Sequence, residues 1–175
     1  MVESAGPDKM PHVRELSRIR AVPLFVAICA TLLALDRLAK LAALEHLSTR
    51  PQPFLSPLLD VVLVFNKGAS FGIFTGATYF LVGVAAVSSI CIFVYIAGRR
   101  HHRPLMVVAL AFIAAGALGN AVDRLLWGAV VDFFHFMFID FPVFNVADCC
   151  ITCGAALLII ALVSHGLLER KASRP

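Results

Sequence analysis

Four long apolar runs constrain this chain more than any other feature. They occupy about residues 21–44, 77–98, 104–126 and 145–168. Each is near the ~20 residues that an α-helix needs to cross the hydrocarbon core of a bilayer. The 175 residues are 60% hydrophobic and 15% charged, with a mean hydropathy of +0.89; soluble domains carry roughly 25% charged residues. The expected fold is therefore an all-α membrane protein of four transmembrane helices. The first run is long, carries charges and lacks a clear small-residue cleavage site, so it reads as a retained helix rather than a cleaved signal peptide.

The basic residues give the expected orientation. The N-terminal segment holds Lys9, Arg14, Arg18 and Arg20, the short 99–103 connection holds Arg99, Arg100 and Arg103, and the tail holds Arg170, Lys171 and Arg174. The two other connections hold only Arg50 and Lys67, a count of ten against two. Lys and Arg mark cytoplasmic loops, so both termini are expected in the cytoplasm and segments 45–76 and 127–143 on the outer face. Residues 1–20 form a cytoplasmic extension, 21–168 the membrane domain and 169–175 a basic tail. The net charge of +4 comes from these flanking clusters, which argues against a nucleic-acid partner.

The outer segment 56–74 is expected to be more than a loop. Asp60 to Phe65 is β-branched and partly alternating, and Asn66-Lys67-Gly68 is a turn signal. A short strand pair or β-rich flap at the membrane surface follows.

Polar residues gather at one depth. Asp36 lies about fifteen residues into the first run, roughly 22 Å along a helix axis, with Lys40 one turn further out. Asn120, Asp123 and Arg124 fall near the outer end of the third run. Asn145 and Asp148 open the fourth, in positions suited to an N-cap and its capping-box partner. Asp132 sits on the connection between them, while Asp60 and Asp140 read as solvated. Carboxylates beside hydrocarbon are costly unless paired or wet, so such a cluster suggests a functional site.

The cluster limits the chemistry. The histidines form no metal triad, so neither a metal nor another cofactor is expected. No nucleophilic Ser or Cys is placed beside a His base. Cys29, Cys91, Cys149, Cys150 and Cys153 all lie in apolar runs and read as small hydrophobes, despite the Cys150-x-x-Cys153 spacing. Two close carboxylates that share one proton can act on a single water, one as base and the other as acid. An aspartyl hydrolase and a proton-coupled carrier both remain open at this level, as does the choice of paired Asp. The carrier is disfavoured because the chain lacks inverted repeats and midplane charges.

The motifs resemble those of lipoprotein signal peptidase, the signal peptidase II family of bacterial membrane aspartyl peptidases. They are D-R-L-A-K (36–40), F-N-K-G-A-S-F-G (65–72), G-x-x-G-N-x-x-D-R (116–124), V-V-D-F (130–133) and F-N-V-A-D (144–148). The resemblance implies that Asp132 and Asp148 are catalytic and that Asn120, Asp123 and Arg124 support them. It further implies that Asn66, Gly68 and Asn145 contact the substrate backbone, with Asp36 and Lys40 bracing the site. The implied substrate is a diacylglyceryl-modified prolipoprotein, cut just before its lipidated Cys. Membrane lipid and cyclic peptide inhibitors of the globomycin type are implied as further partners, and the bacterial inner membrane as the location. His135 and Cys149-Cys150 depart from the residues usual at their positions in the family.

Overall fold

The computed structural model describes residues 15–55, 57–68 and 76–172. Most of the N-terminal extension, the far end of the expected flap (69–75) and residues 173–175 lie outside the described residues. The described residues form four long helices: α1 (Arg18–His46), α2 (Thr78–Gly98), α3 (Pro104–Trp127) and α4 (Val146–Ala172). Each contains a stretch long and apolar enough to cross a membrane. Their outward faces carry Leu35, Leu38, Val87, Ile90, Val94, Ile159 and Ile160, all exposed. Such a surface suits hydrocarbon, while Asp36, Lys40 and Asp123 are buried inside the bundle.

The central helix is α3, against which α1, α2 and α4 all pack. Its buried face is almost entirely small: Ala109, Ala111, Ala114, Ala115, Gly116, Gly119 and Ala121. Small residues let helix backbones approach closely in a membrane, where packing replaces the hydrophobic effect. A Cβ added at Gly116 would collide with the Ala147 carbonyl of α4. One added at Gly119 would lie 2.7 Å from Asp36 Oδ2 and 3.3 Å from Ala147 Cβ. The two glycines thus bring α1 and α4 together over the outer half of α3. Pro104 opens α3, where its missing N–H costs nothing. Gly128 closes it in the left-handed conformation (φ 69°), its N–H donating to the Arg124 carbonyl at 3.0 Å.

Two small sheets are found among the described residues. A three-stranded antiparallel sheet has the order β2 (Gln52–Leu55), β3 (Leu59–Asn66), β5 (Val130–Phe136). The β-rich outer segment is therefore present, and the part of the expected strand pair beyond Gly68 lies outside the described residues. The partners of β3 are β2 before it and β5 from the connection between α3 and α4. That connection, read from sequence as a loop, is a strand because Val130 to Phe136 is an unbroken β-branched and aromatic run apart from Asp132 and His135. Val64 faces Asp132 and Asn66 faces Val130 across the β3–β5 ladder, with a register shift between Val61 and Val64. The chain then returns beside β5, where Phe133 and Phe134 N–H groups both donate to the Phe144 carbonyl at 3.0 and 2.8 Å. Phe134, Phe136, Phe138, Phe141 and Phe144 pack in a continuous ring cluster. At the opposite end of the bundle, β1 (Leu16–Ser17) pairs with β4 (His101–His102), so the 99–103 connection is a bridged turn rather than a bare one.

Candidate active site

Six buried polar residues, Asp36, Lys40, Asn120, Asp123, Asp132 and Asn145, join one hydrogen-bonded network toward one end of the bundle. At its base is Lys40, whose side chain is completely buried. Its ammonium meets Asp36 Oδ2 at 2.9 Å and Asp123 Oδ2 at 2.8 Å, and donates to Asn120 Oδ1 at 3.0 Å. An ammonium has three donors, so Lys40 is saturated. The i,i+4 pair of Asp36 and Lys40 expected from sequence forms, but as part of a four-residue knot.

Both carboxylates of the knot also hold backbone. Asp36 Oδ1 accepts the Ala147 N–H at 2.9 Å, satisfying an otherwise orphan donor in the first turn of α4. Asp123 Oδ2 accepts the Val131 N–H at 3.1 Å, which fixes the start of β5. Asp123 Oδ1 receives Arg37 Nη1 at 3.1 Å. Arg37 escaped the sequence reading, although an Arg inside an apolar run was signal enough.

Asn145 and Asp148 form a reciprocal capping box on α4. Asp148 N–H donates to Asn145 Oδ1 at 3.0 Å, and Asn145 N–H donates to Asp148 Oδ2 at 3.1 Å. Asp148 Oδ1 accepts from Asn120 Nδ2 at 2.8 Å. The Asn145 amide is turned the other way: its Nδ2 donates to Asp132 Oδ1 at 2.6 Å and to Asn120 Oδ1 at 3.1 Å. Asp132 Oδ2 accepts from Asn66 Nδ2 at 3.0 Å. Asp132 and Asp148 are thus held by one shared residue, Asn145, with Asn120 and Asn66 fixing their outer oxygens.

Asn66 is itself fixed by the Gly68 N–H, which donates to Asn66 Oδ1 at 2.9 Å. Arg124 Nη2 donates to the Gly68 carbonyl at 2.7 Å, tying this turn to α3. All ten site residues expected from sequence therefore fall within this network. Asp140 is exposed and Asp60 lies opposite His135 on the sheet; neither joins it.

Charge and burial set the protonation of the pair. The network contains four carboxylates (Asp36, Asp123, Asp132, Asp148) and three cations (Arg37, Lys40, Arg124), so one added proton makes it neutral. Burial pushes the Asp132 carboxyl up to about 7, and the nearby Asp148 charge pushes in the same direction. The hydrogen bonds from Asn66 and Asn145 and the charge of Lys40 oppose that rise.

Asp132 and Asp148 line a cavity of about 540 Å³ between α2 and α4, with Asn66, Asn120 and Arg124 at the polar end. The remaining wall is mostly apolar, including Leu81, Val84, Ala85, Phe136, Phe141 and Ile151, with Ser88 and Thr152 as its polar members. Among the described residues no cluster suited to a metal ion occurs.

A membrane-spanning helix bundle that turns two linked carboxylates toward an apolar groove has the parts of a membrane peptidase. The chain belongs to the signal peptidase II family: the model described as "Signal peptidase (SPase) II" matches residues 28–164. It is 39% identical over 143 residues to a lipoprotein signal peptidase of Burkholderia cenocepacia (strain HI2424), covering 77% of this chain and 84% of that protein. A lipoprotein signal peptidase of Burkholderia multivorans is 38% identical over the same coverage. The fold is similar to that of a bacterial membrane enzyme solved by the in meso method at 2.3 Å resolution. The TM-score is 0.76 at 30% identity, covering 81% of this chain and 88% of that one.

Proposed function

We propose that this protein removes the signal peptide from diacylglyceryl-modified prolipoproteins, cutting before the lipidated Cys with Asp132 and Asp148 as an aspartyl dyad. The observation that carries this reading is the pairing of Asp132 and Asp148 through Asn145 at the polar end of an otherwise apolar groove. Such a groove suits a substrate with acyl chains on one side of the scissile bond.

In the resting state Asp132 holds the shared proton and Asp148 is ionised, its two oxygens aligned by the Asn120 amide and the Asn145 N–H. Asp148 takes a proton from the attacking water as the water oxygen bonds to the scissile carbonyl carbon. Asp132 gives its proton to the carbonyl oxygen, forming a neutral gem-diol. Asp148 then protonates the leaving nitrogen as the C–N bond breaks, and Asp132 recovers a proton from a diol hydroxyl. The proton count of the pair is restored. Asn66 and Gly68 present the turn against which the substrate backbone runs, and Arg124 holds that turn. A cyclic lipopeptide of the globomycin type would block the groove by occupying the same carboxylates.

The distribution of basic residues supports cytoplasmic termini and, with them, a dyad near the outer boundary of the inner membrane. The test is cleavage of a lipidated prolipoprotein by purified enzyme in lipid nanodiscs. Asp132→Asn and Asp148→Asn are each expected to lower the rate by about 10³-fold or more, while helical content is kept. Chelators are expected to leave the parent enzyme active. Near-normal processing by either variant would overturn the dyad.

A further inference from the structure

We propose that Arg37 is a positioning residue that sets the proton count of the Asp132–Asp148 pair, by supplying the third cation of the network through Asp123. This inference rests on the dyad reading above.

The two oxygens of Asp123 have separate duties. Oδ2 takes Lys40 and the Val131 N–H, while Oδ1 takes Arg37 alone among the described residues. The Val131 amide is one residue before Asp132, so the carboxylate that Arg37 anchors also sets the strand position of the catalytic group. Arg37 is moreover the one cation of the three whose side chain reaches the rim without touching substrate-facing residues: it is 30% exposed, against none for Lys40, while Arg124 binds the Gly68 turn.

The charged groups contributed by each element around the pair are Asp36, Arg37 and Lys40 from α1, Asp123 and Arg124 from α3, and Asp132 and Asp148 themselves. β3 contributes the neutral Asn66 to the pair, with Asp60 further along opposite His135 of β5; α4 adds the Cys149 thiol; α2 faces the groove with Leu81, Val84, Ala85 and Ser88. With every network group ionised there is one negative charge in excess, and a single shared proton cancels it. That singly protonated state is the one in which one carboxyl is acid and the other base. Without Arg37 the excess is two, and the pair holds its proton to higher pH.

Removing a nearby positive charge favours the protonated, less negative form of a carboxyl, so its titration moves up. The free-enzyme titration governs kcat/KM, as an alkaline limb where the shared proton is lost.

The experiment compares kcat/KM of the full chain in nanodiscs, with a fluorogenic lipopeptide, across a pH range from about 5 to about 9.5. Arg37→Gln keeps a hydrogen-bond donor for Asp123 and removes the charge; Arg37→Lys keeps the charge. The expected result is an alkaline limb displaced upward in Arg37→Gln by about half a pH unit or more, roughly a threefold difference on the falling limb. Arg37→Lys is expected to overlay the parent. Arg37→Met replaces Arg37→Gln should the latter fail to fold, with Trp127 emission as the check. A limb that stays in place in the neutral variants while the rate drops equally at every pH overturns the proposal, because that is what a purely structural role gives. A parent enzyme with no alkaline limb at all overturns the dyad reading and this inference with it, and is recognised without any variant.

Discussion

Replacing Lys40 with Met tests the network at its most loaded point. The ammonium is fully buried and saturated by Asp36, Asp123 and Asn120 at 2.9, 2.8 and 3.0 Å. Met has a similar length and fills the space, so the loss is electrostatic rather than volumetric. Asp123 keeps Arg37 and the Val131 N–H, but Asp36 is left with the Ala147 N–H alone. Removing one partner of a buried ion pair costs about 3–5 kcal/mol, because the remaining charge is buried without compensation. For a chain of this size, each kcal/mol lowers Tm by about 2–4 °C, so a drop of roughly 10 °C is expected. Trp127, the single tryptophan, stands at the end of α3 beside the site and reports unfolding in detergent by its emission. The double variant Lys40→Met with Asp36→Asn distinguishes the cause. The amide oxygen introduced by Asp36→Asn still accepts the Ala147 N–H but carries no charge, so this variant is expected to recover a substantial part of the lost Tm. A Lys40→Met protein melting within about 2 °C of the parent would refute the reasoning, as would a double variant no more stable than the single one.

Two further outcomes follow from the packing and the groove. Gly119→Ala puts a methyl 2.7 Å from Asp36 Oδ2, so it is expected to cost about 1–3 kcal/mol and at least roughly tenfold in cleavage rate. Gly83→Ala, with nothing within 4 Å of its added carbon, is expected to be neutral in both measurements. In maleimide labelling followed by mass spectrometry, the exposed Cys91 and Cys153 are expected to react before the buried Cys29 and Cys150. A bound lipopeptide inhibitor is expected to protect Cys153, which lines the groove, and not Cys91; equal labelling of both with and without inhibitor would count against the groove as the binding site.

What the sequence made legible, and what it hid, divides along the range of the interactions. The helices were legible because hydrophobic length alone defines a membrane span. The Asn145–Asp148 capping box was legible because its partners lie three residues apart. The β2–β3–β5 sheet was only half legible: the β-branched run of β3 announces a strand, but its pairing with β5 joins segments far apart in the chain and has no local signature. Residue types alone left Asp132 without a distinct role, an isolated Asp in what read as a loop that only the resemblance singled out; its link to Asp148 forms where β5 and the first turn of α4 meet at Asn145.

Asp123 and Asp132 differ in surroundings in a way that density of motif in the sequence does not foretell. Asp123 sits in the richer motif, beside Asn120 and Arg124, and from residue types alone it is as good a candidate as any other Asp. The geometry separates them by what each oxygen is doing. Asp123 is completely buried, and its oxygens are occupied by Arg37, by Lys40 and by a backbone amide. Both oxygens are engaged by those partners, and Asp123 does not line the cavity. Asp132 has only neutral amide donors on its oxygens, faces the cavity, and lies beside the charge of Asp148. A carboxyl that must gain and lose a proton during turnover needs that second environment, and a carboxylate that anchors a strand needs the first. On the proposed dyad, the network uses one Asp to place the other, and its four carboxylates are divided between holding the scaffold and carrying the proton.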